Sequence, residues 1–174
     1  MKERINAFDY AQDITKALRQ GKLLNTNGDK FNSMVIGWGH LGVIWGRETF
    51  TVYVRQSRYT KPQLDQTQEF TVSVPLEGGL SQEVFRICGI ESGRDVDKEK
   101  AAGLTLVESE SIHTPGIKEV PLTLECKVLY QQDQVLCSIP EEIQRKFYMH
   151  GPDEGDFHTA YIGEIVNAYI IRED

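Results

Sequence analysis

The chain has 174 residues and an ordinary hydrophobic content of 40%, which fits a single domain, residues 1–174, with a full core. Its formal net charge is -7, which argues against broad electrostatic binding to DNA or RNA, because such binding relies on basic faces. No apolar run approaches the roughly 20 residues that span a bilayer, and the N-terminus MKERINAFDYAQ lacks the apolar core of a signal peptide. We therefore expect a cytoplasmic protein that binds neither nucleic acid nor a membrane.

The cysteines give no sign of a disulfide framework or of a metal site. There are three, Cys88, Cys126 and Cys137, and they lie far apart in the sequence. An odd number at wide spacing favours reduced thiols, and no close-spaced pair of ligands suggests zinc. We expect no metal.

The first third of the chain is predicted to contain one helix followed by short strands. Apolar residues at helical spacing predict a helix over residues 6–20, and Gly21 follows where a C-cap residue would lie. The segment LLNTNGDKFN is predicted to be a turn, with Asn27-Gly28 as a hairpin signal. Two glycine-rich apolar runs, MVIGWG and LGVIWG, come next. The segment ETFTVYVR then alternates between apolar and polar residues, which predicts a strand.

The segment VRQSRYTKPQ, residues 54–63, places cationic side chains where this strand runs into a predicted helix over residues 61–69. Thr60 is predicted to be the N-cap, and Gln63 to complete a capping box. A helix N-terminus carries free N–H groups and a partial positive charge, which suits an anion. Two arginines, a lysine and two hydroxyl side chains surround it: Arg55, Ser57, Arg58, Thr60 and Lys61. In an acidic protein this cluster predicts a site for a phosphate-bearing small molecule, although a solvated strand end has the same composition.

The remaining elements predict a mainly β fold with short helices (α+β). A strand is expected in FTVSVP, a short helix opened by Ser81 in SQEVFRICG, and a loop in ESGRDVDKEKAAG. The segments VPLTLECKVLYQ and HTAYIGEIVNAYIIRED are rich in β-forming residues. Several strands with a few short helices favour a β-barrel or sandwich decorated by helices.

Four of these segments resemble the flavin reductase-like family, whose members are FMN-binding split β-barrels and include flavoredoxins. They are NSMVIGWGHLGVIWGRETFTVYVRQSRYTKP, FTVSVP, CGIESGRDVDK and HTAYIGEIV, and they occur in the family's order between residues 23 and 166. The resemblance implies an FMN-binding split β-barrel. It also implies a homodimer with FMN near the subunit interface.

Carried over by position, the resemblance implies three groups of FMN-binding residues. The backbone of one segment would address the polar edge of the flavin ring: Asn32, Ser33, Met34, Val35 and Ile36. The phosphate would be held by the cluster Arg55, Ser57, Arg58, Thr60 and Lys61, in agreement with the interpretation made from the residues alone. A loop that approaches the flavin would contribute Cys88, Gly89, Ser92 and Gly93. The family often has threonine at the position of Val35, and a Lys-Phe pair where this chain has Lys98-Glu99.

His158 lies in the last of the matching segments, near the expected place of a nicotinamide substrate, and is predicted to be catalytic. Its imidazole would donate a hydrogen bond to the flavin or shuttle a proton. A structural hydrogen bond is the alternative. Cys88 likewise has two interpretations, a redox-active group beside the flavin or a buried inert thiol.

The implied function is that of an NAD(P)H-dependent flavin reductase. Such an oxidoreductase passes a hydride from NADH or NADPH to FMN, and the electrons go on to a free flavin, a protein acceptor or an oxygenase partner. The cofactor performs the redox chemistry, while the protein binds and orients it. Two other functions fit the same sequence: a flavoredoxin-like non-enzymatic electron carrier with tightly bound FMN, and a binding module that keeps the barrel with little or no flavin.

Overall fold

The computed structural model describes residues 1–149 and 154–172. The strands are β1 (Lys2–Arg4), β2 (Lys22–Asn27), β3 (Phe31–Ile36), β4 (Gly39–Ile44), β5 (Arg47–Arg55), β6 (Glu69–Val74), β7 (Leu106–Val107), β8 (Gly116–Ile117), β9 (Leu122–Asp133) and β10 (His158–Ile171). The helices are α1 (Ala11–Gln20), α2 (Thr60–Thr67), α3 (Gln82–Ile90), α4 (Lys98–Ala101) and α5 (Glu141–Tyr148), with 3-10 turns at Ala7–Tyr10 and Leu136–Ser138. None of the helices in these residues is both long enough and apolar enough to cross a bilayer.

One antiparallel sheet dominates the described part of the chain. Its strand order is β3-β2-β6-β9-β10-β5-β4, with β1 added beside β10, while β7 and β8 form a separate pair. The longest strand, β10, pairs with β9 on one side and with β5 on the other. Within the described residues, β3 and β4 are therefore the two ends of the strand order. This antiparallel sheet with short helices confirms the predicted mainly β fold.

The main hydrophobic core packs against the central strands and includes large aromatic side chains. Phe50, Phe70 and Tyr161 are fully buried. A glycine is required on β10, because a Cβ on Gly163 would lie 2.6 Å from Phe70 Cζ. The pairing with β9 shifts register between Ile162 and Gly163, so the strand bends at the point where the Phe70 ring crosses it.

Several local predictions are confirmed. Residues 7–20 are helical, Asn6 Oδ1 accepts the Phe8 N–H at the helix start, and Gly21 follows with a positive φ of 92°. Ser81 Oγ accepts the Val84 N–H and caps α3. The predicted turn in LLNTNGDKFN is shorter than expected. Most of this segment belongs to β2 and β3, because their pairing extends to Asn27.

The predicted capping box at α2 is wrong. Tyr59 is the N-cap residue, it makes no side-chain cap bond, and Thr60 is the first helical residue. Thr60 Oγ1 instead accepts a 2.9 Å hydrogen bond from Asn32 Nδ2, and Gln63 Nε2 donates a 2.9 Å bond to Asp29 in the β2–β3 turn. Tertiary partners thus replace the local ones. The helix also ends earlier than predicted, since Gln68 is left-handed, with φ 55°.

Lys22 is fully buried within the main core. Its ammonium lies 3.4 Å from the Ile14 carbonyl oxygen and 4.3 Å from the centroid of the Phe50 ring. Burial lowers the pKa of Lys22 from 10.5 to about 7. A cation–π contact and one long hydrogen bond do not offset the loss of hydration that a charged ammonium suffers here.

Replacing this side chain by methionine is expected to stabilise the protein at neutral pH and to flatten its pH dependence. The unfolded chain binds a proton at Lys22 up to about pH 10, so between pH 7 and pH 10 the unfolded state holds more protons than the folded one. The free energy of unfolding of the natural protein therefore rises with pH across this window. Each unit of pKa shift corresponds to about 1.4 kcal/mol, so the total effect of this shift is several kcal/mol.

Urea denaturation of the natural protein and of Lys22→Met at pH 7 and at pH 9.5 measures this effect. The stability advantage of the variant is expected to shrink at the higher pH. An advantage of equal size at both pH values would mean that Lys22 is not the group that titrates.

Candidate functional site

A cleft of about 290 Å³ opens beside the edge strand β3 and the start of α2. It gathers side chains from β3, the β5–α2 turn, the end of α3 with the turn that follows it, and the start of β10. Most of the predicted site residues line it: Asn32, Met34, Val35, Ile36, Arg55, Ser57, Arg58, Thr60, Cys88, Gly89, Ser92, Gly93 and His158. Segments that are distant in the sequence thus meet around one space.

Two predicted residues, Ser33 and Lys61, are not part of the cleft lining. The fully buried Ser33 donates from Oγ to Asn25 Oδ1 at 2.7 Å. Lys61 Nζ forms an ion pair with Asp65 at 2.8 Å and lies 3.3 Å from the Tyr161 hydroxyl. The Lys61 ammonium is therefore committed to α2 and β10 rather than to the cleft.

Cationic side chains and hydroxyl groups mark one end of the cleft. Arg55 lies partly buried there, with Nη1 donating to the Asp156 carbonyl oxygen at 2.7 Å and Nη2 to the Phe147 carbonyl oxygen at 3.0 Å. Arg58 and Arg94 line the cleft and are exposed. Arg94 Nη1 donates to the Ser57 carbonyl oxygen at 2.9 Å and so fixes the turn before α2.

The other end of the cleft borders the main chain of β3. β3 pairs with β2 alone among the described residues, with Ser33 opposite Asn25 and Val35 opposite Leu23. The Ser33 carbonyl oxygen accepts a 2.8 Å bond from Lys98 Nζ, so this residue turns its main-chain groups away from β2. Because the two directions alternate along an antiparallel strand, Val35 turns its N–H and C=O the same way. One donor and one acceptor of the main chain are therefore presented beside the cleft.

The floor of the cleft holds two buried ionisable groups, Cys88 and Lys98. Lys98 Nζ lies 3.3 Å from the Cys88 carbonyl oxygen, in addition to its bond to Ser33. Burial raises the pKa of the Cys88 thiol, although the Ser33 side chain and the Lys98 charge oppose the rise. Burial also lowers the pKa of Lys98. The Cys88 thiol is thus held in its protonated form, which favours the inert of its two interpretations.

Glycine at position 93 is required by close packing. A Cβ on Gly93 would come within 2.1 Å of Asn32 Oδ1 and 2.7 Å of Tyr59 Cδ1. Asn32 Oδ1 itself is buried and has no hydrogen-bond partner among the described residues. The turn at residues 92–94 can therefore close over Asn32 only without a side chain.

Aromatic rings form the wall at the start of β10. The ring of His158 lies 4.7 Å from that of Trp38, which in turn lies 5.2 Å from that of Phe147. His158 Nδ1 is 3.0 Å from the Tyr148 hydroxyl. The buried imidazole thus both lines the cleft and takes part in a structural hydrogen bond, and its catalytic role stays a prediction.

Sequence reasoning missed several residues of the cleft. The most notable are Arg94 and Lys98, followed by Tyr59, Tyr53, Trp38 and Glu91. Arg94 and Lys98 stand inside the segment SGRDVDK, which the sequence predicts to be a loop and from which the resemblance named only Ser92 and Gly93. Their positive charge in an acidic chain was the available signal, but only the fold shows that Lys98 reaches β3.

Comparison with known proteins identifies the family. A family model described as the flavin reductase like domain matches residues 45–174, most of the chain. The chain belongs to the flavin reductase-like domain family. The predicted resemblance is therefore confirmed.

Relatives of this flavin reductase-like domain are found among both sequences and structures. An uncharacterised protein of Archaeoglobus fulgidus is 30% identical over 165 residues, covering 95% of this chain and 77% of that protein. A flavoredoxin from Methanosarcina acetivorans is similar with a TM-score of 0.64 and 27% identity, covering 88% of this chain and 69% of the other. An FMN-binding domain of a flavin reductase-like enzyme from Shewanella baltica has a TM-score of 0.60 and 19% identity, covering 98% and 77%. These likenesses confirm the predicted split-barrel fold of the flavin reductase-like domain.

Proposed function

We propose that the protein binds FMN in this cleft and acts as an NAD(P)H-dependent flavin reductase, with NADH or NADPH as electron donor. The observation that carries the proposal is the polarity of the cleft, which has arginines and hydroxyls at one end and an open strand edge at the other. The chemistry that FMN would supply here is the transfer of a hydride from a reduced nicotinamide and of its electrons to an acceptor. The electrons then go to a free flavin or a protein acceptor.

The residues at the arginine end of the cleft suit a phosphate group. Arg58 and Arg94 provide positive charge at the cleft, and Ser57 provides an N–H and a hydroxyl on an exposed turn. A guanidinium group donates two parallel hydrogen bonds to phosphate oxygens, which suits an arginine for this task. These residues would hold the FMN phosphate.

The ring end fits an uncharged planar group with a polar edge. The main-chain N–H and C=O of Val35 would pair with that edge, so the threonine hydroxyl that the family often has at this position is not needed. Lys98 would place a positive charge near the same end, where preorganised charge stabilises a developing anion. His158 is proposed as the residue that holds or releases a proton beside the ring, with the Tyr148 hydroxyl fixing the orientation of its imidazole.

A second candidate function is favoured by the likeness to a flavoredoxin. In that case the same site would hold FMN tightly, and the protein would carry electrons between proteins without oxidising NADH or NADPH itself. The two functions differ in the response of bound flavin to a nicotinamide donor.

The first test is the visible spectrum of protein purified without added flavin, with identification of the chromophore released on denaturation. We expect a yellow protein that releases FMN, or a colourless one that takes FMN up. Anaerobic NADH or NADPH is expected to bleach the flavin band rapidly. Bleaching only by another reductant would favour the electron carrier. A protein that neither contains nor binds FMN would contradict both functions.

The role of His158 is tested in the same anaerobic assay. His158→Ala is expected to slow flavin reduction more than it weakens FMN binding, because the imidazole lines the cleft near the proposed nicotinamide position. His113→Ala is the matched control. His113 lies in a loop outside the cleft lining, and its bond to Glu69 is made by the main-chain N–H, which the substitution keeps. Weaker FMN binding with an unchanged rate of reduction would assign His158 a purely structural role.

The phosphate end is tested with Arg58→Ala. A lost hydrogen bond to a charged group costs about 1.5–3 kcal/mol, so FMN affinity is expected to fall about tenfold or more while the fold is retained. Arg172→Ala is a control of equal charge, because its ion pair with Glu3 lies at the chain ends. FMN titration followed by flavin fluorescence measures both variants. Equal affinity in Arg58→Ala and the natural protein would remove Arg58 from the site.

A homodimer is also proposed, and the β4–β5 hairpin supports it. Val43 and Trp45 are 64% and 62% exposed there, and the ring of Trp45 lies 6.4 Å from that of Tyr130. Large exposed apolar side chains at a sheet edge suit a second copy of the chain. We expect a mass in solution of twice 19.8 kDa, reduced by Val43→Glu in sedimentation experiments. A mass of one chain at every concentration would contradict the dimer.

A further inference from the structure

We infer that the carboxylate of Asp156 is an internal competitor for the FMN phosphate, an inference that rests on the proposed function of the cleft. Asp156 lies in the segment between α5 and β10 and reaches back to the β5–α2 turn. It occupies the donors that the sequence and the cleft assign to a phosphate. Bound FMN and this carboxylate would therefore exclude each other at Ser57.

The contact is made by both donors of Ser57. The Ser57 N–H donates to Asp156 Oδ1 at 2.9 Å, and the Ser57 hydroxyl donates to Asp156 Oδ2. The Asp156 carboxylate thus accepts from one main-chain N–H and one hydroxyl. Two oxygens of a phosphate would accept from the same two donors. The turn thus already has an anion in place.

Simultaneous occupation is excluded by the number of donors and by charge. One N–H and one hydroxyl cannot donate good hydrogen bonds to a carboxylate and to a phosphate at the same time. A phosphate brought to Ser57 beside the Asp156 carboxylate would also place like charges in contact, which disfavours both. FMN binding therefore requires either that the carboxylate leaves Ser57 or that the phosphate makes no hydrogen bond to Ser57.

The side chain of Asp156 can leave without dismantling the segment. Its main chain is fixed separately, because the Asp156 carbonyl oxygen accepts from Arg55 Nη1 at 2.7 Å. The Gly155 N–H also donates to the Tyr148 carbonyl oxygen at 2.9 Å, which ties the segment to the end of α5. Ser57 is exposed and Asp156 is half-buried, so water can replace the contact when the carboxylate turns away.

The consequence is a flavin that exchanges rather than one that is held permanently. The apparent affinity for FMN is reduced by the fraction of molecules in which Asp156 covers Ser57. The same carboxylate is available to take back these donors as FMN departs. A protein that hands reduced flavin to an acceptor needs such release, whereas a carrier with tightly bound FMN does not.

The experiment compares FMN with riboflavin, which has the same ring and no phosphate. Flavin-free natural protein, Asp156→Asn and Asp156→Ala are titrated with each flavin, and binding is followed by quenching of flavin fluorescence. FMN is expected to bind about tenfold more tightly to Asp156→Ala, in which the competing acceptor is gone, and with a smaller gain to Asp156→Asn, whose uncharged amide oxygen can still accept from Ser57. Riboflavin affinity is expected to stay the same. Neither substitution removes the Asp156 carbonyl oxygen to which Arg55 is bound.

Glu119→Gln is the matched control. It removes one negative charge and a carboxylate that accepts a main-chain N–H, that of Thr105, in a part of the chain away from the cleft. Tighter FMN binding by this control as well would mean that the Asp156 effect comes only from the change in net charge, which would overturn the inference.

The remaining outcomes separate this inference from the proposed function. FMN affinity that is unchanged or weaker in both Asp156 variants, with normal binding by the natural protein, overturns the inference alone and makes Asp156 a support for Ser57. An equal gain for FMN and riboflavin also overturns it. Failure of all proteins to bind FMN overturns both the inference and the proposed function.

Discussion

The cleft depends on the position of one buried amide, that of Asn32. Its Nδ2 donates to Thr60 Oγ1 at 2.9 Å, and its Oδ1 lies so close to the turn at residues 92–94 that only glycine fits at position 93. One side chain therefore sets the spacing between β3, the start of α2 and this turn. The N-cap residue of α2 is Tyr59, which makes no side-chain cap bond, so the helix begins uncapped at the edge of the cleft.

The charge at the cleft is opposite in sign to the net charge of the protein. The chain carries a formal net charge of -7, yet three arginines converge at one end of the cleft. Two of them also make structural hydrogen bonds. Arg94 binds the carbonyl oxygen of Ser57 in the β5–α2 turn, and Arg55 binds those of Phe147 in α5 and of Asp156 before β10. These two arginines thus have a structural and an electrostatic role together.

Sequence patterns predicted what is local, and missed what depends on tertiary neighbours. The alternation in ETFTVYVR, the Ser81 cap and the positive φ at Gly21 follow from short-range physics, and the structure agrees with each. The capping box failed because Gln63 found Asp29 in a hairpin turn that no local pattern places beside α2. The burial of Lys98 was missed for the same reason, since its acceptors, Ser33 and Cys88, belong to other elements. The family resemblance named most of the residues that line the cleft, but it did not reveal the contact of Asp156 with Ser57, 99 positions away in the sequence.

The two ends of the cleft differ in how far their ionisable groups are buried. At the floor, burial moves the pKa of Lys98 down and that of Cys88 up, and each shift favours the neutral form of its group. At the other end, Arg58 and Arg94 stay exposed and hydrated, so their charges are kept at little cost. A ligand with an anionic tail and a largely uncharged planar head would meet the exposed arginines at one end and these buried groups at the other, which supports the proposed binding of FMN.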